Sequence, residues 1–363
     1  MSVTPERTAR ERLDPAIFDL PVEKMRDGYY SDAYFNHARS ALLHDERRPR
    51  VVSQVFQRKH SMLGGMDEAI AILKLCSEDW DDLTVHALHD GDRVEPWETV
   101  MTVEGDYTAF AHLETVVLGT LARRTLIATN TARVLEAANG KPVIFMPARH
   151  DHHRVQTGDG YAAYVAGAVI GAPIGVTSDA QASWWGGRGV GTVPHALIAA
   201  YGGNTVLAAT KFADWAPEDF RITVLVDFDN DSVRTALDVA RALGPRLWGV
   251  RLDTSGQLVD RALWGEMGDF DPQGVNERLV RKVRAALDED GFERVGIVAS
   301  GGFTVEKIEA FEARGVPVDA YGVGSSLIRG ENDFTADIVM TDGRPSAKVG
   351  RSFRPSRRLE LVA

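Results

Sequence analysis

From residue 142 onward, short apolar runs recur along the chain, and each ends in glycine or polar residues. They are PVIFMPAR (142–149), PIGVTSD (173–179), ITVLVDF (222–228), LWGVRLD (247–253), VGIVASG (295–301) and VDAYGVG (318–324). Segments with helical spacing separate most of them, for example 232–243, 277–288 and 304–314. A strand that is apolar along its whole length must be buried on both faces, the condition of a parallel sheet with helices packed on either side. The pattern therefore predicts an α/β fold. Six or seven such units predict an irregular TIM-like barrel, closed or partly closed, with a doubly wound open sheet as the alternative. In both architectures ligands meet the carboxyl ends of the strands.

The first third of the chain has a different texture. Runs over 50–59, 83–89 and 98–103 read as strands, and 66–76 reads as a helix. The Asp90-Gly91-Asp92 stretch is a turn. Leu113, Val116, Val117 and Leu121 fall on one face of a long helix over 109–138. The tail after Gly330 carries an alternating segment of its own that could rejoin this first part.

Bulk properties narrow the function classes. A chain of 363 residues with 44% hydrophobic and 26% charged residues can build a sizeable core and is not of disordered composition. A formal net charge of -11 argues against a general nucleic-acid binder, which holds phosphate backbones with excess Lys and Arg. It leaves room for a small anion gripped by a few focused arginines and backbone amides. Cys76 is the sole cysteine, so no intramolecular disulfide can form, as expected in a reducing compartment. No apolar run approaches the ~20 residues that span a bilayer. The opening MSVTPERTARERLDP lacks a secretory apolar stretch, and a cytoplasmic location without membrane partners is the expectation.

The strand ends carry the residues of interest. Arg149 follows the first of the six runs, Ser178 and Asp179 the second, and Arg251 and Asp253 end the fourth. Ser300, Gly301 and Gly302 follow the fifth, and Gly324 and Ser325 the last. Glycines let backbone amides approach an anion, arginine adds a bidentate clamp, and a carboxylate can hold a divalent ion or sugar hydroxyls. Any one of these loops is weak support; their joint placement points to a phosphorylated sugar. Arg251 and Asp253 could equally be a simple salt bridge, although an apolar strand makes such a pair costly without a task.

His195, in GRGVGTVPHAL (187–197), precedes a helical segment in the same series. Beside phosphates it could serve as general acid/base or as phosphoryl acceptor; the plainer reading is a packed or surface histidine. The histidine run HDHH (150–153) invites a metal reading. Adjacent side chains diverge, so at most His150 and His152 share a face, and no third ligand is evident. No metal site is assigned there, and these histidines are read as rim residues. YYSDAYF (29–35) is a small aromatic cluster that could be a hydrophobic staple.

In order and spacing, YYSDAYF, ARRTLIATNTARV (122–134), PARHD, GTVPHALIAAYGG, GVRLDTSG (249–256), IVASGG and YGVGSSL resemble the nicotinate phosphoribosyltransferase family in its compact bacterial or archaeal form, across nearly the whole chain. The resemblance implies an N-terminal α/β sandwich domain over 1–110, an irregular α/β barrel over 111–330 and a tail, 331–363, that returns to the sandwich. It implies a homodimer whose active site lies at the subunit interface. The implied reaction joins nicotinate to phosphoribosyl pyrophosphate, with Mg2+ and coupled ATP hydrolysis, giving nicotinate mononucleotide and pyrophosphate for NAD biosynthesis or salvage. Carried over by position, Tyr34 would stack on the pyridine ring from the second subunit, with Asp32 beside it. Arg149 would face the ring carboxylate or a phosphate, with Ser178 and Asp179 near the ring substituent. His195 would be transiently phosphorylated. Arg251 and Asp253 would contact the ribose and its phosphates, while Gly301, Gly302, Gly324 and Ser325 would hold the 5-phosphate.

Three alternatives stay open. Nicotinamide or quinolinate could replace nicotinate as the base. A non-catalytic protein that binds phosphoribosyl ligands is the second. The third is an unrelated barrel aldolase or isomerase, which would want a lysine or paired acids at the strand ends, and no lysine stands there.

Overall fold

The computed structural model describes residues 11–268 and 270–362. The chain divides into two compact units. One comprises the chain up to Ala132, Tyr161–Val169 and everything from Gly330 onward; the other comprises Arg133–Gly160 and Ile170–Arg329.

After the helices Val22–Arg26 and Ala33–His44, the first unit forms β1 (Arg50–Phe56), β2 (Ser61–Met62), β3 (Thr84–Ala87), β4 (Arg93–Val94) and β5 (Thr99–Asp106). The helix expected over 66–76 spans Met66–Cys76, and its buried Met66, Ala69, Ile70, Leu73 and Cys76 recur at helical spacing. That stripe joins Val51, Val55, Val85, Met101 and Val103 from the strands, and Leu113, Val117 and Leu121 from the following helical segment, in one core. Burying each such side chain contributes about 1.5–3 kcal/mol. The long helix Glu114–Ala137 leaves this unit at Ala132 and continues into the second.

In the second unit, all six apolar runs form strands. They are β6 (Val143–Phe145), β7 (Ile174–Val176), β8 (Ile222–Leu225), β9 (Leu247–Leu252), β10 (Gly296–Ala299) and β11 (Ala320–Val323). They lie parallel in the order β7-β6-β11-β10-β9-β8, with Ile297 opposite Val250 and Tyr321 opposite Val143. The helix Ser232–Leu243 buries Thr235, Ala236, Val239, Ala240 and Leu243, and Glu277–Glu289 buries Leu279, Val280, Val283 and Leu287. Asn276 and Thr304 accept from the backbone amides of Leu279 and Lys307, capping the two helices that flank β10. The parallel sheet is a half-barrel, and its ladder stops at β7 and β8. The glycine-rich stretch that follows touches both edges instead: Val190 N donates to Val176 O at 2.7 Å, and Val193 N to Thr223 O at 2.8 Å. Glycine at 187, 189 and 191 disfavours a regular strand, and closure is limited to an isolated parallel bridge between Val193 and Val224 at one edge and the Val190–Val176 bond at the other.

The tail contributes β12 (Thr335–Thr341), β13 (Arg344–Pro345) and β14 (Glu360–Leu361). They return to the first unit and complete an antiparallel sheet of order β13-β12-β1-β5-β3-β14. Between them, Ser352 O accepts from Gln54 Nε2 at 3.0 Å and Arg354 O from Thr99 Oγ1 at 2.6 Å. These bonds satisfy polar side chains that would otherwise be buried without partners. Among the described residues no helix is long and apolar enough to cross a membrane.

Candidate active site

The carboxyl ends of the six parallel strands gather most of the residues singled out in the sequence. Arg251 is the penultimate residue of β9, and its guanidinium is fixed by three neighbouring loops. Its Nε donates to Ser300 Oγ at 2.8 Å, one terminal nitrogen reaches Thr192 Oγ1 at 3.4 Å, and the other lies 3.3 Å from Asp253 Oδ2. Three of the five guanidinium donors are thus engaged, leaving two for a ligand. Ser300 Oγ in turn sits 2.8 Å from Asp253 Oδ1 and 2.9 Å from the Leu252 carbonyl, so its single proton serves one of them at a time. The arrangement locks a cation and an anion side by side without filling either, which is what a binding site needs and a packed salt bridge does not.

His195 opens the short helix His195–Ala200, and its Nε2 lies 3.0 Å from Asp227 Oδ1. Asp227 follows β8, and its side chain is only 8% exposed. A carboxylate can only accept, so Nε2 carries the proton and the lone pair is left on Nδ1. The hydrogen bond to Asp227 raises the His195 pKa above its ordinary value. The charges of Asp227 and Asp253 add to this, while partial burial and the Arg251 charge oppose it. That mutual influence ties the histidine pair and the arginine pair into one electrostatic group.

Two glycine turns complete the rim. Gly301 and Gly302 follow β10 with φ of 86° and 75°, the left-handed region that other residues rarely adopt. A Cβ on Gly301 would lie 3.3 Å from the Thr254 carbonyl, whereas one on Gly302 would meet nothing within 4 Å. Gly324 and Ser325 follow β11, which pairs with β10 on one side and β6 on the other. After β6, Arg149 lies in the turn Pro147–His150; it is exposed and makes no hydrogen bond or ion pair among the described residues.

Ser178 and Asp179 shape backbone. Ser178 Oγ caps the short helix Asp179–Ala182 and donates to Gln156 Oε1 at 3.0 Å, while Asp179 Oδ1 accepts from the Gly189 amide at 2.8 Å. Asp179 therefore anchors the glycine-rich stretch that leads to His195. Tyr34 and Asp32 belong to the other unit and stand outside this hydrogen-bonded group. Tyr34 OH donates to Asp32 Oδ2 at 3.1 Å, and Thr115 Oγ1 contacts the same oxygen at 3.1 Å. Sequence reasoning missed Asp227, Thr192 and Gln156. A signal for the first was present: Asp227 stands just past an apolar strand, as Asp253 does.

Comparison with known proteins bears on the fold and the family. Residues 32–125 match the family described as quinolinate phosphoribosyl transferase, N-terminal domain. Nicotinate phosphoribosyltransferase pncB1 of Mycobacterium tuberculosis is 34% identical over 268 residues, which is 71% of this chain and 54% of that protein. The chain thus matches about half the length of that relative. The crystal structure of nicotinate-nucleotide pyrophosphorylase from Pyrococcus furiosus superposes with a TM-score of 0.79 at 30% identity, covering 95% of this chain and 85% of the other. Human nicotinic acid phosphoribosyltransferase shares the fold, with a TM-score of 0.60 at 19% identity over 87% of this chain and 76% of the human one. With the strand-end site on one hand and this likeness along nearly the whole chain on the other, the protein belongs to the type II phosphoribosyltransferase family.

Proposed function

We infer that the protein is a nicotinate phosphoribosyltransferase: it makes nicotinate mononucleotide and pyrophosphate from nicotinate and phosphoribosyl pyrophosphate, with ATP hydrolysis coupled, in NAD biosynthesis. The observation that carries this reading is the joined group of Arg251, Asp253, Ser300, His195 and Asp227 at adjacent strand ends. The nicotinate phosphoribosyltransferase activity for which the mycobacterial relative is named supports the choice of base.

In the reaction the ring nitrogen of nicotinate forms a bond to C1 of the ribose, and the C1–oxygen bond to pyrophosphate breaks with its electron pair leaving on pyrophosphate. Positive charge develops on the sugar and negative charge on the leaving group. The two free donors of Arg251 stabilise that negative charge, and they are preorganised because Ser300, Thr192 and Asp253 already hold the guanidinium plane. Asp253 keeps lone pairs for the ribose hydroxyls. The turns at Gly301, Gly302, Gly324 and Ser325 take the 5-phosphate, and Arg149 takes the ring carboxylate. Ser178 and Asp179 hold the loops around the ring substituent.

Among the described residues no three His, Cys, Asp or Glu side chains form a metal cage. Mg2+ needs none, since it keeps several waters and binds through one or two carboxylates plus substrate phosphates. Asp253 and Asp227, on neighbouring strand ends, have the chemistry to hold it, and when bound it would neutralise pyrophosphate charge. ATP coupling would run through His195: its unprotonated Nδ1 accepts the terminal phosphoryl group, ADP departs, and water later releases phosphate. A homodimer completes the reading, with Tyr34 of a second copy stacked on the pyridine ring and Asp32 beside it.

The test offers purified protein phosphoribosyl pyrophosphate and Mg2+, with and without ATP, and nicotinate, nicotinamide or quinolinate separately. Mononucleotide from nicotinate, accelerated by ATP, is the expected result. The match of residues 32–125 to a quinolinate family favours quinolinate as the second reading; product from quinolinate without ATP would replace the first. Tight binding of phosphoribosyl pyrophosphate with no product from any base would mark a non-catalytic binder.

A further inference from the structure

The histidine run at 150–153 has no part in the chemistry above, yet its members are not equivalent. His152 Nδ1 accepts from the Arg154 amide at 3.3 Å, and the rings of His152 and His153 pack with centroids 4.2 Å apart. Those two stabilise their own turn. His150 ends the turn Pro147–His150 after β6, which pairs with β11 through Phe145 opposite Val323 and through Met146 N donating to Val323 O at 2.8 Å. A Cβ on Gly324 would lie 3.1 Å from His150 Nε2 and 3.4 Å from its Cδ2. The imidazole edge thus rests close against the turn after β11, where any larger residue at 324 would push it back by a few tenths of an ångström. His150 is exposed and makes no hydrogen bond or ion pair among the described residues. Its donor is free for whatever the turn binds.

We propose that His150 is a phosphate ligand: its Nε2–H donates to the 5-phosphate of the ribose held at Gly324 and Ser325. The inference rests on the phosphoribosyl reading of the site and adds a residue to it. It also divides the work of the turn after β6, with Arg149 serving the base and His150 the sugar phosphate. Imidazole suits this place because it donates one directed bond to phosphate oxygen whether neutral or protonated, and it gains charge assistance when protonated. No metal is needed to account for the histidine.

The experiment uses the full chain and two probes, ribose 5-phosphate and inorganic pyrophosphate, titrated separately by calorimetry. His150→Ala should weaken ribose 5-phosphate binding by roughly ten- to a hundredfold, the worth of a hydrogen bond to a charged group, and leave pyrophosphate binding unaltered. His150→Gln, whose amide nitrogen can take the place of Nε2, should recover part of the loss. In imidazole nitrogen spectra, one Nε2 resonance should move with ribose 5-phosphate and vanish in the variant. In turnover, the penalty should fall on KM for phosphoribosyl pyrophosphate more than on kcat. Equal ribose 5-phosphate affinity in all three proteins would overturn the proposal, as would equal losses for both probes, the mark of general damage. If the wild type binds ribose 5-phosphate but converts no base, the catalytic reading fails while the binding series still decides His150. If it binds no ribose 5-phosphate, both fall.

Discussion

The enclosed carboxylate of Asp227 accepts from His195 Nε2 at 3.0 Å, and the histidine gains direction from that bond. Asp227→Asn removes the negative acceptor but keeps the shape. The His195 pKa should fall toward or below its ordinary value, because the largest cause of its upward shift is gone. Two consequences have definite signs. Phosphorylation at Nδ1 needs the imidazole with one proton, so ATP-dependent phosphoenzyme formation in the wild type should rise as pH climbs through the raised pKa. In the variant that rise should come at lower pH and reach a lower plateau. For folding, a raised native pKa gives stability that is fully present below the unfolded-state pKa and fades as pH rises through the native one; the variant should lose this contribution on the acid side. Proton NMR titration of His195, with phosphoenzyme trapping across the same pH range, checks both; an unmoved pKa would refute the role of Asp227. The sequence displayed Arg251, Asp253, Ser300 and the glycines because each stands at the end of an apolar run. It hid which acid of VDFDND (226–231) meets His195, since that pairing spans 32 residues and depends on where β8 stops.

At the scale of elements, close backbone approach is the property least visible in a linear pattern. Gly160 lies inside the helix Gln156–Ile170, where alanine would ordinarily be favoured by about 1 kcal/mol. A Cβ there would sit 2.2 Å from the Gln181 carbonyl oxygen and 2.6 Å from its Cα, backbone atoms that cannot swing aside. Gly160→Ala should therefore destabilise by about 1–3 kcal/mol despite its helix propensity, lowering Tm by several degrees in a thermal melt. An unchanged or higher Tm would mean the helix can shift without cost. The short helical turn Ala111–Leu113 buries a titratable group, another property a linear pattern does not display. His112 is 1% exposed, and burial, with the Arg39 charge, pushes its pKa down to about 4. The unfolded chain takes up a proton near 6.5 that the folded chain refuses, so stability should fall as pH drops from there toward 4. His112→Leu should flatten that slope in denaturant melts at pH 7 and pH 5, whatever it does to stability at neutral pH. The helices over 66–76 and 232–243 and the six parallel strands were legible because burial imposes a period on the sequence. Whether the barrel closes fully or partly was not legible, because the glycine-rich stretch between β7 and β8 has no period to read. The pairing of β14 with β3 rests on two residues of the tail and left an equally faint trace.

At the scale of the molecule, the chemistry-bearing residues are divided between the two units. Tyr34 and Asp32 stand in the first, with Tyr34 62% exposed, whereas His195, Arg251 and Asp253 stand in the second. The proposed homodimer, in which a second copy brings its own site to Tyr34, would cover a large aromatic that is otherwise left in water. In a twofold-symmetric dimer built that way, each site takes Tyr34 from one chain and His195 from the other. Suppose a chain carrying Tyr34→Ala and a chain carrying His195→Ala are co-expressed with different tags, and the mixed dimer is isolated by both. One of its two sites then receives both substitutions and the other receives none. The mixed dimer should recover about half of the wild-type ATP-stimulated turnover, although each parent dimer is impaired in both sites. If each site were assembled within a single chain, every site in the mixed dimer would carry one lesion, and turnover would stay at the mean of the two parents. A single chain by size-exclusion and light scattering, with full activity, would exclude the shared site outright.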